Sequence, residues 1–248
     1  MLFISMKKIF IFLALCLCLT GCVRYDVGIQ FPQANHGTMI QHIKLGKQLT
    51  NFSEKEGNAW LNSIERRALK LQGKSKRLSQ DELVVTIPFS NGQDLVKKFN
   101  QFFIPTLGDK SSQKISDNNS NSLLDLSAKM SIKQNNLLFL ERNTLNFDAD
   151  LTPLGVVSSE GNIIISSGDL INLQIQFDFP LGAKLTANEF AQWEKLPHNQ
   201  YNIQLSAGQI NQLEAVFWLP NYIGLGASAI ALFIILGFYL KYQKLPLI

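Results

Sequence analysis

Two pairs of polar side chains have residue types and spacings that could support chemistry. His36 and His42 lie six positions apart on or beside one predicted strand, where two imidazoles could begin a metal site. Asp148 and Asp150 share the polar face of another predicted strand, and paired carboxylates can transfer protons or bind calcium. Two histidines without a third ligand are equally typical of a surface hairpin, however, and strand alternation alone explains the two aspartates.

Recognisable catalytic motifs are missing from the sequence. It contains no nucleophile elbow, no phosphate-binding loop and no metalloprotease motif. We therefore predict no catalytic residue, no metal and no cofactor, and we expect a protein that is not an enzyme.

Another residue that could undergo chemistry is Cys22, which ends the run Leu19-Thr20-Gly21-Cys22. Lys7, Lys8 and an uninterrupted apolar stretch over residues 9–19 precede it, as in a secretory signal peptide. The run resembles the lipobox of bacterial lipoproteins. This resemblance implies that residues 1–21 are removed as a signal peptide, that the Cys22 sulfur receives a diacylglycerol, and that a fatty acid such as palmitate caps the new N-terminus. The alternative is an ordinary signal peptide with a cysteine at its cleavage site.

Composition excludes two further classes of site between residues 23 and 220. Cys16 and Cys18 belong to the predicted signal peptide, so this region has no disulfide, thiolate nucleophile or cysteine-ligated metal. Four of the 23 Lys and Arg residues lie outside the region and all 19 acidic residues lie inside it, so the two signs balance. A neutral domain gives no electrostatic reason to bind a polyanion, and we exclude a nucleic-acid partner.

A second membrane signal lies near the C-terminus. No charged residue occurs from Tyr222 to Leu240, and a helix of this length would measure about 28 Å, close to the thickness of the hydrocarbon core. Aromatic residues flank the segment and two lysines follow it: Trp218, Tyr222, Tyr239, Tyr242, Lys241 and Lys244. Because positive residues mark the cytoplasmic side, we predict a transmembrane helix over residues 221–241 and a cytoplasmic tail over residues 242–248. Residues 22–220 then form an extracytoplasmic domain, in the periplasm or the thylakoid lumen. A buried core helix is the alternative.

Six basic residues crowd into twelve positions of the first half. They are Arg66, Arg67, Lys70, Lys74, Lys76 and Arg77. Near an anionic membrane each would contribute roughly 1 kcal/mol of attraction, so we predict that this cluster contacts lipid headgroups. The alternative is a solvated helix end, since Lys and Arg are favourable near a helix C-terminus.

Alternating polarity predicts an antiparallel, β-rich domain with two helices, an α+β fold. The clearest strands cover residues 25–31, 38–45, 83–89, 124–133, 145–151 and 173–179, with a short extra strand near residues 74–78. A turn at Asn135-Asn136 is predicted to lead into a strand over residues 137–140. Polar residues 108–122 predict a mobile loop, and one sheet built from both sides of it is favoured over two domains.

The two helices have recognisable boundaries. Capping boxes start them, at Ser53 with Glu56 and at Ser90 with Gln93, and the stops are Gly73 and Pro105. A further short helix is predicted around residues 187–194, within an insertion over residues 183–200.

Four motifs spread over the chain carry a resemblance to a known family. They are Cys22-Val23-Arg24-Tyr25-Asp26-Val27-Gly28-Ile29, Trp60-Leu61-x-Ser63-Ile64-Glu65-Arg66-Arg67, Thr86-Ile87-Pro88-Phe89 and Glu214-Ala215-Val216-Phe217-Trp218-Leu219-Pro220. They resemble a family of cyanobacterial lipoproteins of unknown function, the DUF3153 type. The lipobox, the first strand and the C-terminal anchor are more distantly similar to LppM-type lipoproteins. That likeness implies a β-rich fold and contact with lipid or glycolipid.

These observations together predict a class of function. We expect a membrane-anchored lipoprotein that binds a membrane lipid or glycolipid at the outer face of the membrane and catalyses no reaction. The alternative is a scaffold or assembly factor whose partner is another membrane protein. An enzyme acting at the membrane surface would need a polar cluster in a pocket, which the sequence does not indicate.

Overall fold

The computed structural model describes residues 23–46, 54–103, 127–152 and 171–242 of the chain. These ranges contain eleven strands, three α-helices and a short 3-10 helix. The strands are β1 Val23–Gln33, β2 His36–Lys44, β3 Lys74–Arg77, β4 Glu82–Phe89, β5 Ser127–Asn136, β6 Leu140–Asp150, β7 Ile171–Asp178, β8 Ala183–Ala187, β9 Ala191–Leu196, β10 Gln200–Leu205 and β11 Ile210–Pro220. The helices are α1 Glu54–Lys70, α2 Gly92–Phe103 and α3 Tyr222–Tyr242, and the 3-10 helix is Pro197–Asn199. The predicted signal peptide with Cys22, the Ser53 cap, Pro105 and the 108–122 loop lie outside the described residues.

The described strands form two sheets. Seven strands follow the order β3-β4-β2-β1-β7-β10-β9, and four follow the order β5-β6-β11-β8. Among these strands β1 and β7 pair in parallel and the other pairs are antiparallel. The α+β class with mostly antiparallel strands is confirmed, whereas the single sheet is wrong. The two sheets do not correspond to two domains divided at residues 108–122, because the larger sheet takes strands from both sides of that segment.

The larger sheet buries one face, as the period-two alternation of its strands predicts. From β1 it buries Tyr25, Val27, Ile29 and Phe31. On this face α1 packs against β3 and β4, α2 lies between β4 and β5, and β11 of the smaller sheet crosses β1. The domain therefore has two layers, with the seven-stranded sheet as one layer and the helices and the smaller sheet as the other.

Aromatic rings join the two layers. Phe31, Phe179 and Phe217 are each at most 2 % exposed. The ring centroid of Phe217, from the smaller sheet, lies 5.0 Å from that of Phe31 on β1 and 4.2 Å from that of Phe179, which directly follows β7 of the larger sheet. Pairs of rings at such distances contribute about 1 kcal/mol each beyond the area they bury. The cluster is the point at which the two sheets are most directly packed.

A second part of the core holds a polar pair. The Tyr25 hydroxyl donates a hydrogen bond to Gln41 Oε1 at 2.8 Å, and both side chains are buried. Burial raises the pKa of Tyr25 above its usual range, with the positive charge of Arg67 opposing this shift. Tyr25 is therefore a neutral hydroxyl that satisfies a buried amide, which is a structural role.

The end of α1 differs from its prediction in the residue that makes the turn. The Gly73 N–H donates to the Ala68 carbonyl at 2.9 Å and the Gln72 N–H to the Leu69 carbonyl at 3.1 Å, the two bonds of a Schellman motif. Gln72, with φ of 62°, holds the terminating position predicted for Gly73. Gly73 is needed for another reason, because a Cβ there would lie 2.8 Å from Ile87 Cγ1.

The start of α2 is capped by Asn91 rather than by the predicted Ser90. Asn91 Oδ1 accepts a hydrogen bond from the Asp94 N–H, and Asp94 Oδ2 accepts one from the Ser90 N–H, each at 2.9 Å. Gln93, predicted to close the capping box, instead donates to the carbonyl of Ile132 on β5 at 3.1 Å. Packing against the smaller sheet thus shifts the cap by one residue.

Residues 183–200 hold β8 and β9 rather than the short helix predicted around residues 187–194. β8 pairs with β11, and β9 pairs with β10. Asn188 turns the chain between them, since its Oδ1 accepts from the N–H groups of Ala191 and Gln212 at 3.2 Å. Pairing with distant strands overrides the local helical pattern here.

Gly37→Ala is expected to destabilise the fold by about 2 kcal/mol through overpacking. A Cβ at Gly37 would overlap the Phe89 ring and lie 2.6 Å from the Gln30 carbonyl oxygen. Gly28→Ala on the neighbouring strand is a matched control, because the nearest atom to its new Cβ is the Ile40 oxygen at 3.9 Å. This control should gain about 0.5 kcal/mol. Urea unfolding of the full chain in mild detergent measures both, and equal effects would contradict the packing around Gly37.

Candidate functional site

The helix α3 is the most exposed apolar element of the described structure. It has 21 residues, a mean hydropathy of 2.3 in its most apolar window, and no residue of that window buried. Its length and composition are sufficient to cross a membrane. The apolar helix predicted over residues 221–241 is therefore present, one residue later than expected.

The junction between β11 and α3 is short and hydrogen-bonded. Asn221 alone separates Pro220, the last residue of β11, from Tyr222. The Asn221 side chain caps α3 by accepting the Gly224 N–H at 3.2 Å, and its backbone N–H donates to the Phe139 carbonyl at 2.9 Å. The start of α3 is thus fixed both to its own strand and to the turn between β5 and β6.

That turn, residues 137–140, is called the hairpin tip below. It is closed by a hydrogen bond from the Leu137 N–H to the Leu140 carbonyl at 2.8 Å. All four side chains are exposed: Leu137 by 54 %, Leu138 by 61 %, Phe139 by 47 % and Leu140 by 38 %. The Leu138 carbonyl lies against Gly224, where a Cβ would overlap it, so only glycine permits this approach.

The hairpin tip corrects the predicted turn at Asn135-Asn136. Both asparagines belong to β5 and pair with Arg142 and Glu141 of β6. Glu141 is buried and accepts side-chain hydrogen bonds from Gln134 at 2.7 Å and Asn143 at 3.0 Å, which join β5 to β6 next to the hairpin tip. The sequence did contain a signal for the true position of the turn. Residues 137–140 are four consecutive apolar residues, and such a run breaks the alternation of a half-buried strand.

The six residues of the predicted basic cluster have different surroundings. The Arg67 guanidinium donates to the Phe102 carbonyl at 2.9 Å and lies 5.1 Å from the centre of the Phe102 ring, and burial lowers the pKa of Arg67. Arg77 forms an ion pair with Glu65 at 3.0 Å and donates to Asn62 at 2.6 Å. These two arginines tie α1 to its neighbours. The other four side chains are exposed: Arg66, Lys70, Lys74 and Lys76.

Strand register shows which structures share an end of the domain with α3. The Ala34 N–H donates to the Pro220 carbonyl at 3.3 Å, so the turn after β1 lies beside the start of α3. Gly37 pairs with Phe89, and α2 begins shortly after Phe89. Lys74, which follows α1, pairs with Thr86 toward the same end of β4. The C-terminus of α1, the N-terminus of α2 and the hairpin tip therefore lie at one end of the domain, called the α3 end.

A groove of about 460 Å³ opens at the α3 end, between the C-terminus of α1 and the N-terminus of α2. Three lysines and one acidic residue line it: Lys70, Lys97, Lys98 and Asp94. Lys98 Nζ is held by Asp94 Oδ2 at 3.1 Å and by the Pro88 carbonyl at 2.6 Å. The side chains of Lys70 and Lys97 reach the surface. The groove is therefore positively charged. Sequence reasoning included Lys70 but missed Lys97 and Lys98, because only the fold brings α2 beside α1.

The start of β1 lies at the opposite end. Arg24 pairs with Lys44, which pairs with Glu82, and these residues are at the far ends of their strands from Ala34 and Phe89. β1 has 11 residues and so measures about 33 Å. Val23, which follows the predicted lipidation site Cys22, is therefore separated from the start of α3 by most of the length of the domain.

The predicted histidine pair is not brought together, whereas Asp148 and Asp150 share the exposed face of β6 as predicted. His36 and His42 lie at opposite ends of β2, about 20 Å apart, and His42 Nε2 contacts Glu82 at 2.6 Å. Asp148 accepts a hydrogen bond from Gln212 at 3.0 Å. Asp150 accepts two from Thr152, which lower its pKa. Within the described residues no group of three or more His, Cys, Asp or Glu side chains could hold a metal ion.

A small apolar cavity lies in the core between the two layers. Its volume is about 30 Å³, and Tyr25, Phe99, Phe147 and Ile175 are among the residues that line it. This is on the order of the volume of one water molecule, so the cavity cannot hold an acyl chain. This cavity therefore offers no site for the tail of a lipid.

Comparison with known proteins yields one structural likeness and one family. The NMR structure of the folded domain of Mycobacterium tuberculosis LppM is similar to this chain with a TM-score of 0.40 and 11 % identity, covering 81 % of this chain and 92 % of that one. No curated protein matches the chain. A model of a family described as proteins of unknown function matches residues 27–247, as the sequence motifs predicted. By this match over most of its length, the chain belongs to the DUF3153 family.

Proposed function

We propose that this protein is a membrane-anchored lipoprotein that binds the headgroups of a membrane lipid or glycolipid and catalyses no reaction. The observation that carries the proposal is the position of the lysine-lined groove at the same end of the domain as the apolar helix α3. In this proposal α3 crosses the bilayer with its C-terminus in the cytoplasm, and the domain lies on the outer face.

The short junction supports close contact with the bilayer. α3 would measure about 32 Å, enough to cross the hydrocarbon core, and Asn221 leaves no linker through which the domain could move away. Lys70 and Lys97 would then lie near the headgroups, where each contributes roughly 1 kcal/mol toward an anionic surface. Because the core cavity is too small for an acyl chain, the ligand's tails would stay in the membrane.

The predicted lipid on Cys22 constrains how the domain lies. Val23 begins β1 about 33 Å from the end beside α3. A diacylglycerol on Cys22 and α3 can enter one bilayer only if β1 runs roughly along the membrane plane. We therefore propose a domain that lies flat and is held at both ends.

Reversing the charge of the groove is expected to weaken lipid binding. The variant Lys70→Glu with Lys97→Glu should raise the Kd for dioctanoyl phosphatidylglycerol about 30-fold, which corresponds to about 2 kcal/mol. Native mass spectrometry of the full chain in mild detergent, titrated with this lipid, measures the change.

A matched control separates the groove from a general effect of charge. Lys44→Glu with Lys129→Glu makes the same change in net charge at two exposed residues outside the groove. This control should leave the Kd within about twofold of the unchanged chain. Equal weakening by both variants, or no weakening by the groove variant, would contradict headgroup binding at the groove.

A scaffold function is the second candidate, and the edge strand β9 favours it. β9 ends the seven-stranded sheet as described, and Trp193 on this strand is 44 % exposed. An open edge with an exposed aromatic ring is a suitable surface for another protein strand. Under this proposal a stoichiometric protein would co-purify with the full chain and would be lost from Trp193→Ser. Retention of lipid without such a partner would favour the headgroup-binding module.

A further inference from the structure

We infer that the hairpin tip, residues 137–140, enters the outer boundary of the bilayer beside α3, as a second membrane-inserting element. The inference rests on the proposed membrane anchoring by α3 and goes beyond it, because a spanning helix alone does not require the domain to insert. Its partner is the boundary between lipid headgroups and acyl chains.

The composition and rigidity of the hairpin tip suit this role. It consists of four consecutive apolar residues with exposed fractions between 38 % and 61 %. Behind it, the buried Glu141 accepts hydrogen bonds from Gln134 and Asn143. The hairpin tip is therefore a fixed apolar projection, and exposing it to water would leave several leucine-sized side chains unburied.

Contact with α3 sets the depth of the hairpin tip. The Leu138 carbonyl lies against Gly224, the third residue of α3, and the Phe139 carbonyl accepts the Asn221 N–H. If α3 enters the bilayer near Tyr222, the hairpin tip enters at the same level, whether the domain lies flat or stands upright. Burial of about 5–10 Å below the headgroups is typical of interfacial segments.

Backbone hydrogen bonding at the hairpin tip lowers the cost of this depth. Unpaired backbone groups are costly in hydrocarbon. The Leu137 N–H is paired with the Leu140 carbonyl, and the Phe139 carbonyl is paired with Asn221. These two groups are therefore already satisfied within the protein.

The surroundings favour lipid over protein as the partner. The hairpin tip has no charged side chain and is continuous with the exposed apolar surface of α3. Tyr222, 57 % exposed, and Trp218, 36 % exposed, flank it, and such aromatic side chains are typical of the membrane interface. Arg142 is exposed and pairs across the sheet with Trp218, at the level expected for headgroups.

Fluorescence quenching in lipid nanodiscs tests the inference on the full chain. Single cysteines replace Leu138, Leu232 in the middle of α3, and Gln192 on β9, each labelled with an environment-sensitive dye. All three side chains are exposed within the described structure, so the substitutions should not disturb folding. The parent chain without an added cysteine measures background labelling.

The expected result is that doxyl-labelled lipid quenches the dyes at Leu138→Cys and Leu232→Cys and leaves Gln192→Cys unchanged, whereas iodide in water quenches only Gln192→Cys. If Leu232→Cys responds to lipid but Leu138→Cys responds to iodide, the anchoring stands and the inference is wrong. A Leu138→Cys dye shielded from both quenchers would indicate a protein partner and would also overturn it. Failure of lipid quenching at Leu232→Cys would overturn the proposed anchoring itself.

Discussion

Phe217→Ala is expected to lower the free energy of unfolding of the full chain by about 3–5 kcal/mol. The Phe217 ring is fully buried and lies between Phe31 and Phe179, with centroid distances of 5.0 and 4.2 Å. Removing it would leave a cavity where the two sheets meet, and the surrounding packed core would relax only partly into that space. The loss should therefore lie toward the upper end of this range.

The neighbouring residue provides a control for this prediction. Trp218 follows Phe217 on β11, points to the other face of its strand and is 36 % exposed. Trp218→Ala should therefore change the free energy of unfolding by less than about 1 kcal/mol in detergent. Urea unfolding monitored by pulse proteolysis measures both variants. Similar losses for the two variants would show that the sheets do not pack through Phe217.

Most strands of the fold could be predicted because their alternation coincides with burial on one face. In β1, Tyr25 to Phe31 alternate in sequence, and the same residues are buried in the structure. The parallel pairing of β1 with β7 could not be predicted, because a strand buried on one face shows the same alternation beside any neighbour. For the same reason, alternation could not divide the strands between two sheets.

The candidate site was predicted only in part, for two physical reasons. Proximity in sequence suggested a basic cluster, but helical geometry separates its members, since Arg67 lies beside the buried Ala68 and faces Phe102. Lys97 reaches the groove only through the packing of α2, which no local pattern indicates. Asparagine is favoured in turns, so Asn135-Asn136 suggested a turn. Both asparagines instead pair with β6, and the turn lies at the hairpin tip, which contacts α3.

Gly224→Ala and Gly226→Ala are expected to have opposite effects on the start of α3. A Cβ at Gly224 would overlap the carbonyl oxygen of Leu138, which is backbone and cannot rotate away, whereas a Cβ at Gly226 meets no atom within 4 Å. In an unobstructed helix alanine is favoured over glycine by about 1 kcal/mol. The start of α3 should therefore be at least as stable in Gly226→Ala as in the unchanged chain. Gly224→Ala should push the hairpin tip away and weaken the hydrogen bond from Asn221 to Phe139.

Amide hydrogen exchange of the full chain in detergent distinguishes these outcomes. The Asn221 amide, which donates to Phe139, and the Leu137 amide, which closes the hairpin tip, report on the contact directly. In Gly224→Ala both should exchange about 100-fold faster, corresponding to about 3 kcal/mol of lost local stability. In Gly226→Ala they should exchange at the original rate or more slowly. Equal rates in the two variants would mean that the hairpin tip does not rest on α3. The helix would then be joined to the domain through Asn221 alone, and the depth argued for the hairpin tip would lose its basis.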